Sequence, residues 1–321
     1  MRDPERRGRG GARHSWATVS RASALGIVVL VLAGCAGSPG STAGTEPPGT
    51  PSETAATSVA TAPATPTAAA PTPDVSPAPK RQESITVGND ERVVDVFVPS
   101  LPAGDKAPLL LLLHANGESP YVMANESRAG ELAAREGVIV ALPPAREHRW
   151  IVMVSPGDPI TPSTDVAYVV GLIDRLAAEL PIDMDRVFVA GFSMGAVTSE
   201  RIGCQFADHV AAVALNAGAP WSDECSPARP LPILVMHGTA DSTFRIALAG
   251  EVVSRWRAAD GCRGEPVVSQ LSDIATSELD DDCSGGVSVQ FVRYEGSGHR
   301  WFANPDATEV LWQFFEGVGK R

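Results

Sequence analysis

Large apolar residues are distributed unevenly: before residue 80 they gather in one short block, and beyond it they return with the periods of strands and helices. The segment Arg92-Val93-Val94-Asp95-Val96-Phe97-Val98 mixes the two classes in the manner of an early, partly exposed strand. Five successive leucines at residues 109–113 predict a central strand buried on both faces, since nothing in the run is suited to water. Further strands are expected at 138–142, where Pro143-Pro144 stops the run, and at 186–190, 210–215, 231–236 and 287–294. Helical stretches fall between them at 126–136, 165–180, 196–206, 244–259 and 308–315. In the second of these, Val166, Val169, Val170, Ile173 and Leu176 lie on one face at a 3.6-residue period, which suits packing on a sheet. Alternating strands and helices imply an α/β fold with a mostly parallel central sheet and helices on both faces. Functional groups on such a sheet are expected at the carboxyl ends of its strands.

The residues ahead of this pattern suggest export. Residues 1–21 carry six arginines, and residues 22–34 form an apolar run ending at Cys35, the charged and apolar parts of a signal peptide. A membrane span needs roughly 20 apolar residues, so a retained transmembrane helix is the minor reading. Leu32-Ala33-Gly34-Cys35 resembles a bacterial lipobox. That resemblance implies a Cys35 diacylated on sulfur, holding the mature chain to a membrane; the alternative is a plain secretory signal with Cys35 a bystander. Two acyl chains anchor stably where one gives marginal binding. Residues 36–82 are rich in Pro, Thr, Ala, Ser and Gly and lack the apolar content to fold, so they read as a disordered tether. Residues 83–321 form the expected catalytic domain.

Charge and cysteine content narrow the function classes. A formal net charge of -12 argues against a nucleic-acid partner, because phosphate contacts need a basic surface. With Cys35 set aside, Cys204, Cys225, Cys262 and Cys283 are an even set in an exported chain. Of the three possible connectivities, Cys204–Cys225 and Cys262–Cys283 are favoured because each closes a short local loop. The close Cys-x-x-Cys spacing of structural zinc is absent from the sequence, and no metal is expected.

The strand ends carry the candidate chemistry. Their loops present His114-Ala115-Asn116-Gly117, then Ser193, then His237-Gly238-Thr239-Ala240-Asp241, then Gly296-Ser297-Gly298-His299. Ser, Asp, His in that order is the order of an α/β-hydrolase. Ser193 sits in Gly191-Phe192-Ser193-Met194-Gly195 between a strand and a helix, where a sharp turn can project its hydroxyl as a nucleophile. Of the six histidines only His299 follows Asp241, which makes it the candidate general base. Asp241 would hold the histidine tautomer. Asp260, Asp273 and residues 280–282 are expected to be solvated charges. The oxyanion hole is expected from the Met194 amide and a loop amide, with Asn116 preferred over Ala115. Trp150 and Trp301 are candidates for the acyl pocket. The chemistry calls for no metal or organic cofactor.

Residues 82–315 resemble secreted α/β-hydrolase esterases of the polyhydroxybutyrate depolymerase and feruloyl esterase group. The likeness rests on Val189-Ala190-Gly191-Phe192-Ser193-Met194-Gly195, on Cys225-Ser226-Pro227-Ala228-Arg229-Pro230 ahead of the Asp241 strand end, and on Gly296-Ser297-Gly298-His299-Arg300-Trp301. Two positions depart from it: His114-Ala115 stands where His-Gly is usual, and Phe302 where proline is frequent. Matching cysteines in that group support both proposed disulfides. The resemblance implies a cell-surface carboxylic ester hydrolase working through an acyl-enzyme. Its substrates would be short hydroxy-acid or hydroxycinnamoyl esters, as small molecules or linked to polysaccharide. An acyltransferase, a peptidase of the prolyl-oligopeptidase kind and a catalytically silent binding lipoprotein are the rival readings.

Overall fold

A computed structural model of the chain describes residues 76–151, 165–222 and 225–318. The expected signal peptide, Cys35 and residues 36–75 of the expected tether lie outside the described residues.

The chain opens with β1 (Lys80–Val87), β2 (Asp90–Phe97) and β3 (Ala107–Leu113), followed by α1 (Pro120–Glu126), α2 (Ala129–Glu136) and β4 (Ile139–Leu142). Next come α3 (Asp165–Ala177), β5 (Ile182–Phe192), α4 (Met194–Gln205), β6 (Ala212–Asn216), β7 (Ile233–Gly238) and α5 (Ile246–Ala259). The hairpin strands β8 (Val267–Gln270) and β9 (Ala275–Asp280), then β10 (Val289–Tyr294) and α6 (Ala307–Gly317), complete it. All ten strands join one sheet in the order β1-β2-β4-β3-β5-β6-β7-β10-β9-β8. The six from β4 to β10 run parallel, and two antiparallel strands extend the sheet at each edge.

The leucine run explains why the sheet is covered twice. Leu109, Leu111 and Leu113 face a core shared with α3, α4 and α5, while Leu110 and Leu112 face a second core with α2 and α6. Each of the five is at most 1% exposed, and burying such a side chain stabilises by about 1.5–3 kcal/mol. On the second face the rings of Phe188 and Phe315 stack at 4.5 Å.

Three differences from the expected elements have local causes. The helix expected at 126–136 is two helices, because Arg128 takes a left-handed φ of 49° and interrupts the ladder. Ser119 and Pro120 start the first of them, with the Ser119 hydroxyl accepting from the Val122 amide, an N-cap followed by proline at the first helical position. At the edges, β1 begins at Lys80, ahead of the Glu83 start expected from composition: the ladder with β2 holds Lys80 opposite Phe97, and Lys80 pairs with Asp95 at 3.3 Å. The β8–β9 hairpin is not among the expected elements. Every residue of β8 is exposed, so it carries no apolar period, and backbone pairing with β9 defines it.

Both favoured disulfides form, Cys204–Cys225 and Cys262–Cys283. Two of the aspartates expected to be solvated are not. Asp260 is buried against the Leu231 amide at 3.1 Å, and burial pushes its pKa up to about 6. Asp280 is buried and pairs with Arg257 at 2.8 Å. Among the described residues no helix is long and apolar enough to cross a membrane.

Candidate active site

Ser193 occupies the turn between β5 and α4 with φ 55° and ψ −119°, a conformation that costs a side-chain-bearing residue on the order of 1–3 kcal/mol. The flanking glycines make the turn possible. A Cβ on Gly191 would overlap the backbone of Gly195, and a Cβ on Gly195 would overlap the carbonyls of Leu113 and His114. The start of α4 is therefore wedged between its own strand and the end of β3. The Ser193 amide donates to the Asn216 carbonyl at 2.9 Å, tying the turn to β6 as well.

Asp241 and His299 reach this turn from the ends of β7 and β10. The Ser193 hydroxyl lies 2.9 Å from His299 Nε2, and His299 Nδ1 lies 2.7 Å from Asp241 Oδ2. The other Asp241 oxygen accepts the amides of Thr243 at 2.8 Å and Phe244 at 2.9 Å, so the carboxylate is held by its own turn. Beneath it, His237 is buried, and its Nε2–H donates to the Phe244 carbonyl at 2.7 Å. Burial lowers the His237 pKa and keeps the ring neutral beside the acid. Asn216 links two of these loops: its carbonyl holds Ser193, and its Nδ2 donates to the Arg300 carbonyl at 3.0 Å, next to His299. An imidazole bridged between a carboxylate and a serine hydroxyl can take the hydroxyl proton while the carboxylate stabilises the imidazolium.

The expected oxyanion amides lie on two elements that touch through Gly195. Met194 is the first residue of α4, where backbone N–H groups have no partner within the helix. In the loop after β3, the Ala115 amide donates to Glu118 Oε2 at 3.3 Å, whereas among the described residues no acceptor takes the Asn116 amide. Backbone donors of this kind suit an oxygen that gains negative charge.

The two tryptophans expected at the acyl pocket are both buried. Trp150 is 4% exposed; its indole N–H donates to the His114 carbonyl at 2.6 Å and its amide to Asn116 Oδ1 at 2.9 Å. Trp301 is 8% exposed, and its N–H donates to Thr308 Oγ1 at 3.1 Å within the α6 core. Both belong to the framework. The rings beside the imidazole are Phe192, at 5.1 Å, and Phe244, at 5.7 Å, neither of which the sequence singled out beyond its motif. Phe192 is placed by the Gly191–Gly195 turn itself, which is a signal the sequence contained.

A second buried acid lies on α4. Glu200 accepts the Trp221 amide at 2.9 Å, with Arg255 4.0 Å from its other oxygen, and burial pushes its pKa up to about 7. On β2, Arg92 pairs with Asp90 and Asp165, each at 2.6 Å, and donates to the Pro144 carbonyl at 2.8 Å. Asp165 in turn accepts the Ile151 amide at 2.6 Å. The only group of potential metal ligands among the described residues is Cys262, Asp280 and Cys283, and its two sulfurs are joined in a disulfide.

Residues 93–297 match the sequence profile of a family described as Esterase PHB depolymerase. Feruloyl esterase B of Piromyces equi is 31% identical over 229 residues, covering 65% of this chain and 42% of the relative. A bifunctional acetylxylan esterase/xylanase of Neocallimastix patriciarum is 27% identical over 230 residues, covering 70% of this chain and 33% of the relative. The chain thus spans less than half the length of both relatives. The solved structure of acetyl xylan esterase from Aspergillus awamori matches with a TM-score of 0.63 at 14% identity, over 74% of this chain and 99% of that one. That likeness shows the fold, the α/β-hydrolase arrangement expected from the order Ser, Asp, His.

Proposed function

This chain belongs to the Esterase PHB depolymerase family, and on that premise we propose that it is a serine carboxylic ester hydrolase acting through an acyl-enzyme. The observation that carries the reading is the unbroken hydrogen-bond relay Asp241–His299–Ser193. His299 Nε2 takes the Ser193 proton as Ser193 Oγ bonds to the ester carbonyl carbon. The amides of Met194 and Asn116 hold the resulting oxyanion, and one such donor is typically worth about 3 kcal/mol in the transition state. The tetrahedral intermediate expels the alcohol, which leaves with the proton from His299. Water then loses a proton to His299 as it attacks the acyl carbon, and the second tetrahedral intermediate collapses by breaking the bond to Ser193 Oγ, which takes the proton back from His299 as the acid leaves. These steps use no metal or organic cofactor.

The substrates proposed are short hydroxy-acid or hydroxycinnamoyl esters, free or linked to polysaccharide. The names of the feruloyl and acetylxylan esterase relatives support that range. Phe192 and Phe244 beside the imidazole give the acyl group an apolar wall. The proposed setting is the outer face of a membrane, reached by export and held through lipid on Cys35, with the membrane as partner and nucleic acid excluded by charge. In that setting residues 36–79 act as the tether.

Hydrolysis of p-nitrophenyl butyrate by the purified protein and by Ser193→Ala tests the mechanism. The variant is expected to lose activity by at least about 10⁴-fold, and comparable rates for the two proteins would remove Ser193 from the reaction. Feruloyl, acetyl-xylan and hydroxybutyrate esters assayed side by side then rank the substrates. Cys35→Ala is expected to move the protein from the membrane to the soluble fraction of cells that express it.

A further inference from the structure

We propose that the imidazole of His114 is a positioning residue for the oxyanion site, fixing the direction of the Asn116 N–H through the other half of the same peptide group. The inference rests on the reading of Asn116 as an oxyanion donor. Asn116 lies in an exposed turn beyond the end of β3, so no strand ladder orients its amide. The peptide joining Ala115 to Asn116 is planar, and in the trans form its C=O and N–H point in opposite directions. Whatever fixes the carbonyl therefore aims the amide.

Two donors fix that carbonyl, the Glu118 amide at 3.1 Å across the turn and, at the shorter distance, the buried imidazole of His114. Its Nδ1 lies 2.7 Å from the Ala115 carbonyl oxygen, which can only accept, so Nδ1 carries the proton. The opposite ring nitrogen, Nε2, accepts the Ala145 amide at 3.0 Å, and that bond sets the same tautomer from the other side. Burial lowers the His114 pKa, which keeps the ring neutral and Nε2 free to accept. The ring is held in turn by Trp150, tilted against it at 5.1 Å, whose indole N–H donates to the His114 carbonyl at 2.6 Å. Trp150 also grips the far side of the turn through Asn116 Oδ1, and the Gly117 amide donates to His148 at 2.7 Å. With Gly195 packed on the Leu113 and His114 carbonyls, the amide directed by His114 and the amide of Met194 share one framework.

Two substitutions separate positioning from mere filling of space. His114→Asn places an amide donor near the Nδ1 position, and His114→Gln places its amide near Nε2. On p-nitrophenyl butyrate, His114→Asn is expected to keep kcat within about threefold of the parent. His114→Gln is expected to lose about tenfold or more in kcat with KM changed less than about twofold, as befits a donor used only in the transition state. Inhibition by a short trifluoromethyl ketone, whose adduct with Ser193 carries the oxyanion, should weaken in His114→Gln by the same factor as kcat/KM. The acid limb of the pH profile should stay where it is. Equal kcat for the two variants, or a loss confined to KM with unchanged ketone affinity, overturns the proposal. If neither variant folds, Trp150→Phe decides, since it removes the pyrrole half of the indole, and with it the bond to the His114 carbonyl and part of the packing on the imidazole, while the backbone bond to Asn116 stays: a kcat a few-fold lower at constant KM supports the proposal and an unchanged kcat overturns it. Parent protein without Ser193-dependent hydrolysis takes down the esterase reading and this inference together, whereas Ser193-dependent hydrolysis with equal Asn and Gln variants takes down this inference alone.

Discussion

On the side of the site built from β5 and β7, two groups are fixed largely by their sequence neighbours: Asp241 by amides two and three residues on, Ser193 by glycines two residues away. On the β3 side the reverse holds. His114 is oriented by an amide 31 residues away, and Asn116 is gripped by Trp150 from 34 residues away. Further out, Arg92 spans 52 residues to hold Pro144, and with Asp165 it secures the ends of the loop that carries Trp150. Local geometry places the proposed nucleophile and acid; long-range bracing places the proposed second oxyanion donor.

The sharpest test of the local half is Asp241→Asn. Its Oδ1 can still accept the turn amides, but its NH₂ faces His299 Nδ1 and imposes the wrong tautomer, so kcat is expected to fall about 10³–10⁴-fold with little change in Tm. A large loss of Tm instead would mean that Asp241 is held from afar after all. The matching test of the braced half is Arg92→Met, which leaves the buried Asp90 and Asp165 without their shared partner. Stripping one member from a buried ion pair costs about 3–5 kcal/mol, here read by urea denaturation. The residual folded protein should show a lowered kcat, because the Trp150 loop loses its anchor; an unaltered kcat would uncouple Arg92 from the site.

Glu200 permits a smaller test on α4, the helix that carries Ser193. Its pKa, raised to about 7 from an ordinary 4.5, means that the folded state binds the proton more tightly than the unfolded chain does. Its contribution is thus fully favourable below about pH 4.5 and fades as pH rises through 7, an effect on the order of 3–4 kcal/mol at about 1.4 kcal/mol for each unit. Thermal melts from pH 4.5 to 8 should show this decline in the parent protein and a smaller one, confined to the lower end where Asp260 titrates, in Glu200→Gln. The same slope in both would place the titration elsewhere.

The same contrast between local and long-range fixing decides which features are legible in the sequence. The leucine run, the Gly191–Gly195 turn and the succession Ser193, Asp241, His299 are legible because burial, steric demand and chain order each leave a local mark. Strand β8 is not, since every residue of it is exposed and only backbone pairing defines it, and β1 is nearly as silent, with Ile85 its one buried side chain. The surroundings of Trp150 and Trp301 are not legible in the sequence because an indole has the same apolar mass in a core as in a cleft. What separates the two is the acceptor of the N–H, and a hydrogen bond between loops leaves no period. Asp260 and Asp280 mislead for a related reason: the amide and the guanidinium that bury them come from other elements.

The close approach of Gly191 and Gly195 has a consequence for how such chains are classified. Both glycines are demanded by the wedge of α4 between β5 and β3, and neither contributes an atom to the proposed reaction. A descendant that had lost its catalysis would keep them as long as it kept the fold, while its serine, released from duty, would drift toward glycine, which tolerates a φ of 55°. Ser193→Gly is accordingly expected to gain about 1 kcal/mol of stability as it loses hydrolysis, and a lower Tm would contradict that. The glycines of the pentapeptide therefore testify to architecture, and a lineage of silent copies would still wear the signature of an enzyme.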